Sequence, residues 1–270
     1  MKYLLSEETT PVEEHNGILF KRDDLFLPYA NDQELGGGKV RQMKFLMNSI
    51  LSNNRSIKGL ITCSSVNSPQ GLIVAKEAKK NNLPCIVCIG GRNSSPEKAI
   101  QNHASIYLAH KAGAEIRTVA QIGYTSILEK RASAIADEKN YYLVQFGINL
   151  DEYPEAVIGA IANQVENIPD ELDNLIVPVG SGISFAGILV GLKRFNKKVK
   201  RVIGIQIAGY DRRKTIDRIL DLTDTKANYE LYMDKTYPYS KKVNHFISSD
   251  LSLNVIYEAK AYKYFRNNQD

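Results

Sequence analysis

At 270 residues, with 43% hydrophobic and 24% charged side chains, the chain has the make-up of one large globular domain or two modest lobes, which excludes collagen-like, coiled-coil and wholly disordered classes. Lys and Arg number 35 against 30 Asp and Glu, and the net charge of +5 permits anionic partners without indicating nucleic acid. The longest apolar runs, such as Leu83 to Ile89, fall far below the roughly 20 residues that cross a bilayer, Met1 to Glu8 lacks the basic and apolar regions of a secretory signal, and three cysteines show no disulfide-like spacing, so a cytoplasmic protein is expected.

The first helix-like segment, 39–53, follows Gly36-Gly37-Gly38-Lys39. Strand-like Gly59 to Thr62 leads through small hydroxyl residues into a helix at 70–81, and strand-like Cys85 to Ile89 leads to a helix at 96–112. Glu115 to Thr118, a helix at 125–139, Tyr142 to Phe146 and a helix at 155–167 continue the alternation. Leu175 to Val179, a helix at 185–195, Arg201 to Ile207 and a helix at 212–221 complete it. Asp221 to Ser249 is polar and tyrosine-rich and reads as irregular structure, and an amphipathic helix over Val255 to Phe265 follows. This order predicts an α/β protein with open, mostly parallel sheets and helices on both faces. The strand runs are apolar throughout, as for strands buried on two sides.

Three loops at strand-to-helix junctions carry the candidate chemistry, because open α/β sheets bind ligands there. Gly36-Gly37-Gly38-Lys39 gives the backbone access to positive φ, but Gln33 and Val40 stand where a phosphate-loop pattern needs Gly and a hydroxyl, so a nucleotide P-loop is not expected. On these residues alone, a flexible turn with a solvated lysine is the simpler reading. Thr62 to Gly71 is the second loop, where ordinary capping is the simpler reading. In Val177-Pro-Val-Gly180-Ser181-Gly182-Ile183-Ser184, a strand enters a Gly/Ser turn and then a helix, the arrangement whose backbone N–H groups bind phosphate. Phe185 occupies a position that a dinucleotide fingerprint reserves for Gly, which favours the phosphate of a smaller cofactor. The same residues approximate a hydrolase nucleophile elbow, giving an alternative α/β-hydrolase with Ser184 as nucleophile and His245 as base. Cys85-Ile-Val-Cys88 lies inside an apolar run and reads as buried strand, and the four histidines show no metal-ligand spacing, so no metal is expected.

Taken together the loops resemble the fold-type II pyridoxal-phosphate enzymes, related to the tryptophan synthase β chain, and within them the 1-aminocyclopropane-1-carboxylate deaminase and D-cysteine desulfhydrase family. Lys21-Arg22-Asp23-Asp24-Leu25 is similar to the family's K-R-D-D-L, and Gly36-Gly-Gly-Lys39-Val-Arg41 to its G-G-N-K-x-R. Val66-Asn67-Ser68-Pro69-Gln70 resembles V-Q-S-N-H/Q, Val177 to Ser184 resembles V-G-S-G-G-T, and Val255-Ile-Tyr257-Glu258-Ala-Lys260-Ala261 resembles P-V-Y-E/T-G-K-A. The resemblance implies two lobes around a cofactor crevice in a single unit over 1–270, the smaller about 50–145 and the larger about 1–49 plus 146–270.

It also implies pyridoxal 5'-phosphate on Lys39, with Gln70, Gly180, Ser181, Gly182, Ile183, Ser184 and Glu258 holding the cofactor and Ser68, Tyr257 and Tyr237 facing the substrate. The implied reaction is that of a lyase or deaminase at Cα of a small or unusual amino acid, releasing ammonia and a keto acid. A homodimer is expected. Gly38 and Pro69 stand where the family has Asn, and the chain is shortened relative to the family after the Tyr-Glu helix, without its H-T-G-G motif. Because Pro lacks an N–H, a cofactor-binding protein without turnover is the alternative within the family.

Overall fold

A computed structural model describes residues 9–26, 35–53, 56–91, 95–121, 124–148, 152–207, 210–233, 238–245 and 247–268. The chain divides into two compact units, one of residues 28–157 and one of residues 1–27 with 158–270. The division assigns the helix bearing Lys39 to the first of these, whereas the sequence-based boundary placed it in the larger lobe.

Within 28–157 the first helix is α1 (Gly38–Ser52). The first two strands of the whole chain, β1 (Val12–His15) and β2 (Ile18–Lys21), belong to the other unit and pair antiparallel. The four-stranded sheet of 28–157 comprises β3 (Leu60–Cys63), β4 (Cys85–Gly90), β5 (Ala114–Ala120) and β6 (Tyr142–Val144) in the order β5-β4-β3-β6. Every pairing in it is parallel. Its helices are α2 (Gln70–Lys80), α3 (Pro96–Asn102), α4 (Ala104–Lys111) and α5 (Thr125–Lys139), while α6 (Pro154–Ala162) crosses the division. The expected single helix over 96–112 is two, because His103 adopts extended backbone between α3 and α4. All four residues of β3 are buried, and Ile61, Cys63, Ile86 and Cys88 pack against Leu128, Ala132 and Ala136 of α5. Gly71 lets α2 lie close on this sheet, since a Cβ there would fall 2.8 Å from Val87 Cγ1. Burial pushes all three thiols up to about 12, so Cys63, Cys85 and Cys88 are inert core residues.

The other unit is built on β7 (Glu171–Val179), β8 (Lys198–Gln206) and β9 (Glu230–Met233), all parallel in that order. Helices α7 (Ile183–Arg194), α8 (Arg213–Leu222) and α9 (Glu258–Asn267) accompany them. In this unit the expected apolar runs, Leu175 to Val179 and Arg201 to Ile207, fall on the C-terminal halves of the longer strands β7 and β8. Their N-terminal halves are solvated and carry exposed ion pairs, Lys198 with Glu171 and Lys200 with Asp173, which contribute little to stability. Ile203, Ile205 and Ile207 meet Ala261 of α9 in the core.

Arg22 explains the Lys-Arg-Asp-Asp run. Only 4% exposed, it pairs with Glu13 and Asp24 and donates to the Asp250 carbonyl, fastening the β1–β2 hairpin to the segment before α9. Among the described residues, no helix is long and apolar enough to cross a membrane.

Candidate active site

Each unit carries candidate site residues, and each group is built by local geometry. In 28–157, Gly37 is the N-cap of α1 with φ of 98°, a conformation that favours glycine and turns the chain directly into the helix. Lys39 therefore sits in the first turn. Desolvation pulls its ammonium down to about 8, so more of it is neutral amine near physiological pH than for an ordinary lysine. An amine activated in this way is what covalent chemistry with a carbonyl requires.

The loop after β3 is braced from beneath by Gln70. Its buried amide donates from Nε2 to Thr62 Oγ1 (3.0 Å) and to the Gln145 carbonyl (2.8 Å), and its Oε1 accepts the Gly147 N–H (2.8 Å). Thr62 Oγ1 in turn donates to the Val144 carbonyl at 2.7 Å. Gln70 thus ties the ends of β3 and β6 to α2, and most of its hydrogen-bonding capacity is used within the protein. Ser68 is buried and its Oγ accepts the Gln70 N–H at 3.3 Å. Pro69 is the N-cap of α2 in helical conformation, a place where its missing N–H costs no intrahelical bond.

In the other unit, β7 runs into Gly180-Ser181-Gly182 and then α7. Gly182 caps α7 with φ of 96° and no side chain bonds the cap, so the first-turn N–H groups of Ile183 and Ser184 are left for an anion. The loop is a close-fitting cradle: a Cβ on Gly180 would fall 3.2 Å from Tyr257 Cε1, and one on Gly182 would fall 3.2 Å from Ile216 Cγ1. These residues fit a cofactor phosphate.

Tyr257 precedes α9 and its ring lies against this loop. Its hydroxyl is 2.8 Å from that of Tyr239, with the two rings edge to face. Burial raises both phenols above their ordinary value, so both are protonated at neutral pH. Lys260, one turn along α9, donates to the Pro238 and Tyr239 carbonyls (3.1 and 3.2 Å) and so fixes the second tyrosine. Asn254 Oδ1 accepts the Ile256 and Tyr257 N–H groups and orders the approach to α9. Glu258 opens the helix. It is exposed as a residue, yet desolvation of its carboxyl, with a smaller push from Asp24 and Asp23, holds it up at about 6.

Sequence reading singled out Tyr237, which lies outside the described residues; among the described residues, Tyr239 stands beside Tyr257. The tyrosine-rich stretch was its sequence signal. The nucleophile-elbow alternative fails on geometry. Ser184 lies inside the first turn of α7, and the left-handed residue is Gly182, two positions earlier, whereas an elbow places the strain at the nucleophile. His245 packs its ring edge-on against Tyr262 (5.3 Å) and leaves Nε2 buried without a hydrogen-bond partner.

A desolvated lysine at a helix start in one unit, a glycine cradle at a strand-to-helix junction in the other and parallel sheets in both are features expected of an α/β protein that holds a phosphorylated aldehyde cofactor. The chain belongs to the pyridoxal-phosphate dependent enzyme family, whose model matches residues 4–228. It is 30% identical over 263 residues to the O-seryl-dTMP PLP-dependent decarboxylase of Salmonella phage ViI, covering 89% of this chain and 60% of that protein. It is 27% identical over 273 residues to a putative 1-aminocyclopropane-1-carboxylate deaminase of Pyrococcus abyssi, covering 91% of this chain and 77% of the relative. Among solved structures, an ACC deaminase homologue superposes with a TM-score of 0.76 at 21% identity over 97% of this chain and 85% of that one, which establishes the fold-type II architecture. The chain spans 60% of the length of the phage relative.

Proposed function

We propose that the protein is a pyridoxal-phosphate-dependent lyase or deaminase acting at Cα of a small or unusual amino acid and releasing ammonia and a keto acid. The observation that carries this reading is Lys39, an amine held at about 8 by desolvation in the first turn of a helix entered through a left-handed glycine. Lys39 would carry the cofactor, and the N–H groups of Gly180 to Ser184 would hold its phosphate. When bound, the cofactor supplies an electron sink for a carbanion at Cα. Lys39 then moves the Cα proton. Ser68 orients the substrate carboxylate, Tyr257 and Tyr239 hold protons at the substrate side, and Glu258 faces the ring nitrogen. Screening amino acids for ammonia, sulfide and keto-acid release tests the reading; a saturated holoprotein that releases none of them from any amino acid refutes it.

A second reading follows from the phage relative, named an O-seryl-dTMP PLP-dependent decarboxylase. Here the substrate would be an amino-acid conjugate and the product carbon dioxide. Adding a carbon dioxide readout and O-seryl nucleotides to the same screen separates the two.

Gly182→Val tests the phosphate cradle. A β-branched residue at φ of 96° is strained whatever the space around it, and a penalty of about 1–2 kcal/mol corresponds to about a tenfold change in affinity. Pyridoxal phosphate should bind at least that much more weakly, with unchanged far-ultraviolet circular dichroism. Unchanged affinity would place the phosphate elsewhere.

A further inference from the structure

The residue that holds the phosphate cradle from behind is Arg212, which no sequence motif singled out. It is the N-cap of α8, and its Nε donates to the Gly180 carbonyl at 3.0 Å. Gln206, at the end of β8, accepts the Arg212 N–H at 2.8 Å and anchors the residue from the sheet. A Cβ on Gly182 would lie 3.5 Å from Arg212 Cβ and 3.7 Å from its carbonyl oxygen. The N-terminus of α8 therefore abuts the N-terminus of α7, and two helix ends of like partial charge meet at one loop. The guanidinium packs over the Tyr210 ring at 5.5 Å and is partly desolvated, which strengthens its field at the loop.

Two helix N-termini and a guanidinium at one loop favour the binding of an anion there. A carbonyl held by a guanidinium is also a carbonyl that cannot turn toward that anion. We infer that Arg212 is a positioning residue for the cofactor phosphate: it holds the Gly180 carbonyl behind the loop, so that the loop N–H groups face the anion, and it adds a fixed positive charge to the paired helix ends. The inference rests on the proposed phosphate role of Gly180 to Ser184 and assigns the charge that completes it.

The test measures dissociation constants of two probes, pyridoxal phosphate and pyridoxal, on the apoprotein of the wild type, Arg212→Gln and Arg212→Lys. Losing a charged hydrogen bond should weaken pyridoxal phosphate about tenfold to a hundredfold, leave pyridoxal within twofold, and be partly recovered in Arg212→Lys. A merely structural brace would weaken both probes alike and lower the melting temperature of the apoprotein. That result, or unchanged pyridoxal phosphate affinity in Arg212→Gln, overturns the inference. Should Arg212→Gln not fold, the ratio of the two constants in Arg212→Lys decides, with a ratio equal to the wild type counting against the inference. Gly182→Val separates the two levels: if it alone releases pyridoxal phosphate, the cradle stands and the role of Arg212 falls; if it releases nothing, the cradle falls first.

Discussion

Lys39→Ala should bind pyridoxal phosphate without the visible absorption band of a covalently held cofactor and lose turnover by at least about a thousandfold, within the range lost with a single acid–base group. Borohydride reduction of the wild type followed by peptide mapping should place the label on Lys39, and a label on another lysine would refute the assignment. Stability gives the complementary signal. The folded protein holds the amine at about 8 against an ordinary 10.5, so between those values the unfolded chain binds more protons and stability rises with pH. The cost of the buried ammonium is therefore fully present below about 8 and gone above 10.5. Apo Lys39→Ala should melt no lower than the apo wild type at pH 7, and the difference should vanish at high pH. A variant that melts lower at neutral pH would mean that Lys39 serves the fold.

Most of the sheet was legible because its strands are buried apolar runs. Leu60–Cys63, Cys85–Gly90 and the C-terminal halves of Glu171–Val179 and Lys198–Gln206 fall on the predicted segments within a few residues. The β1–β2 hairpin was missed, although Asn16 (φ 55°) and Gly17 (φ 76°) form the left-handed turn that an Asn-Gly pair favours. Its four-residue strands are only half buried and offer no apolar run to detect. β9 was hidden in the polar segment for a related reason: Glu230 to Met233 alternates exposed and half-buried residues at the sheet edge.

Legibility of the site followed a different rule. Backbone features such as the glycines of the two loops could be read, because positive φ restricts the residue type. Side-chain partnerships could not. Gln70, expected at the cofactor, hydrogen-bonds Thr62, Gln145 and Gly147, partners no motif announces, and Tyr239 and Arg212 acquire their places only when distant segments fold together.

Glu258→Gln should have opposite effects on the empty and the loaded protein. In the apoprotein the carboxyl is held at about 6 against an ordinary 4.5, so the folded state binds more protons than the unfolded chain between those values. Stability from this group is then fully present below 4.5 and lost as pH rises through about 6. Gln carries no charge at any pH and removes that loss. Apo Glu258→Gln should melt higher than the wild type above about pH 6, with the gap closing toward 4.5. When the cofactor is bound, a protonated ring nitrogen facing the carboxylate reverses the preference, because an opposite charge stabilises the ionised form. The wild type should gain more melting temperature from pyridoxal phosphate than the variant does. Turnover should fall by orders of magnitude in Glu258→Gln, since a neutral amide does not keep the ring nitrogen protonated and the electron sink weakens. Wild-type turnover in the variant would remove Glu258 from the ring, and an apoprotein that melts lower than the wild type at pH 8 would show that the carboxylate is stabilised by its surroundings instead of penalised by them.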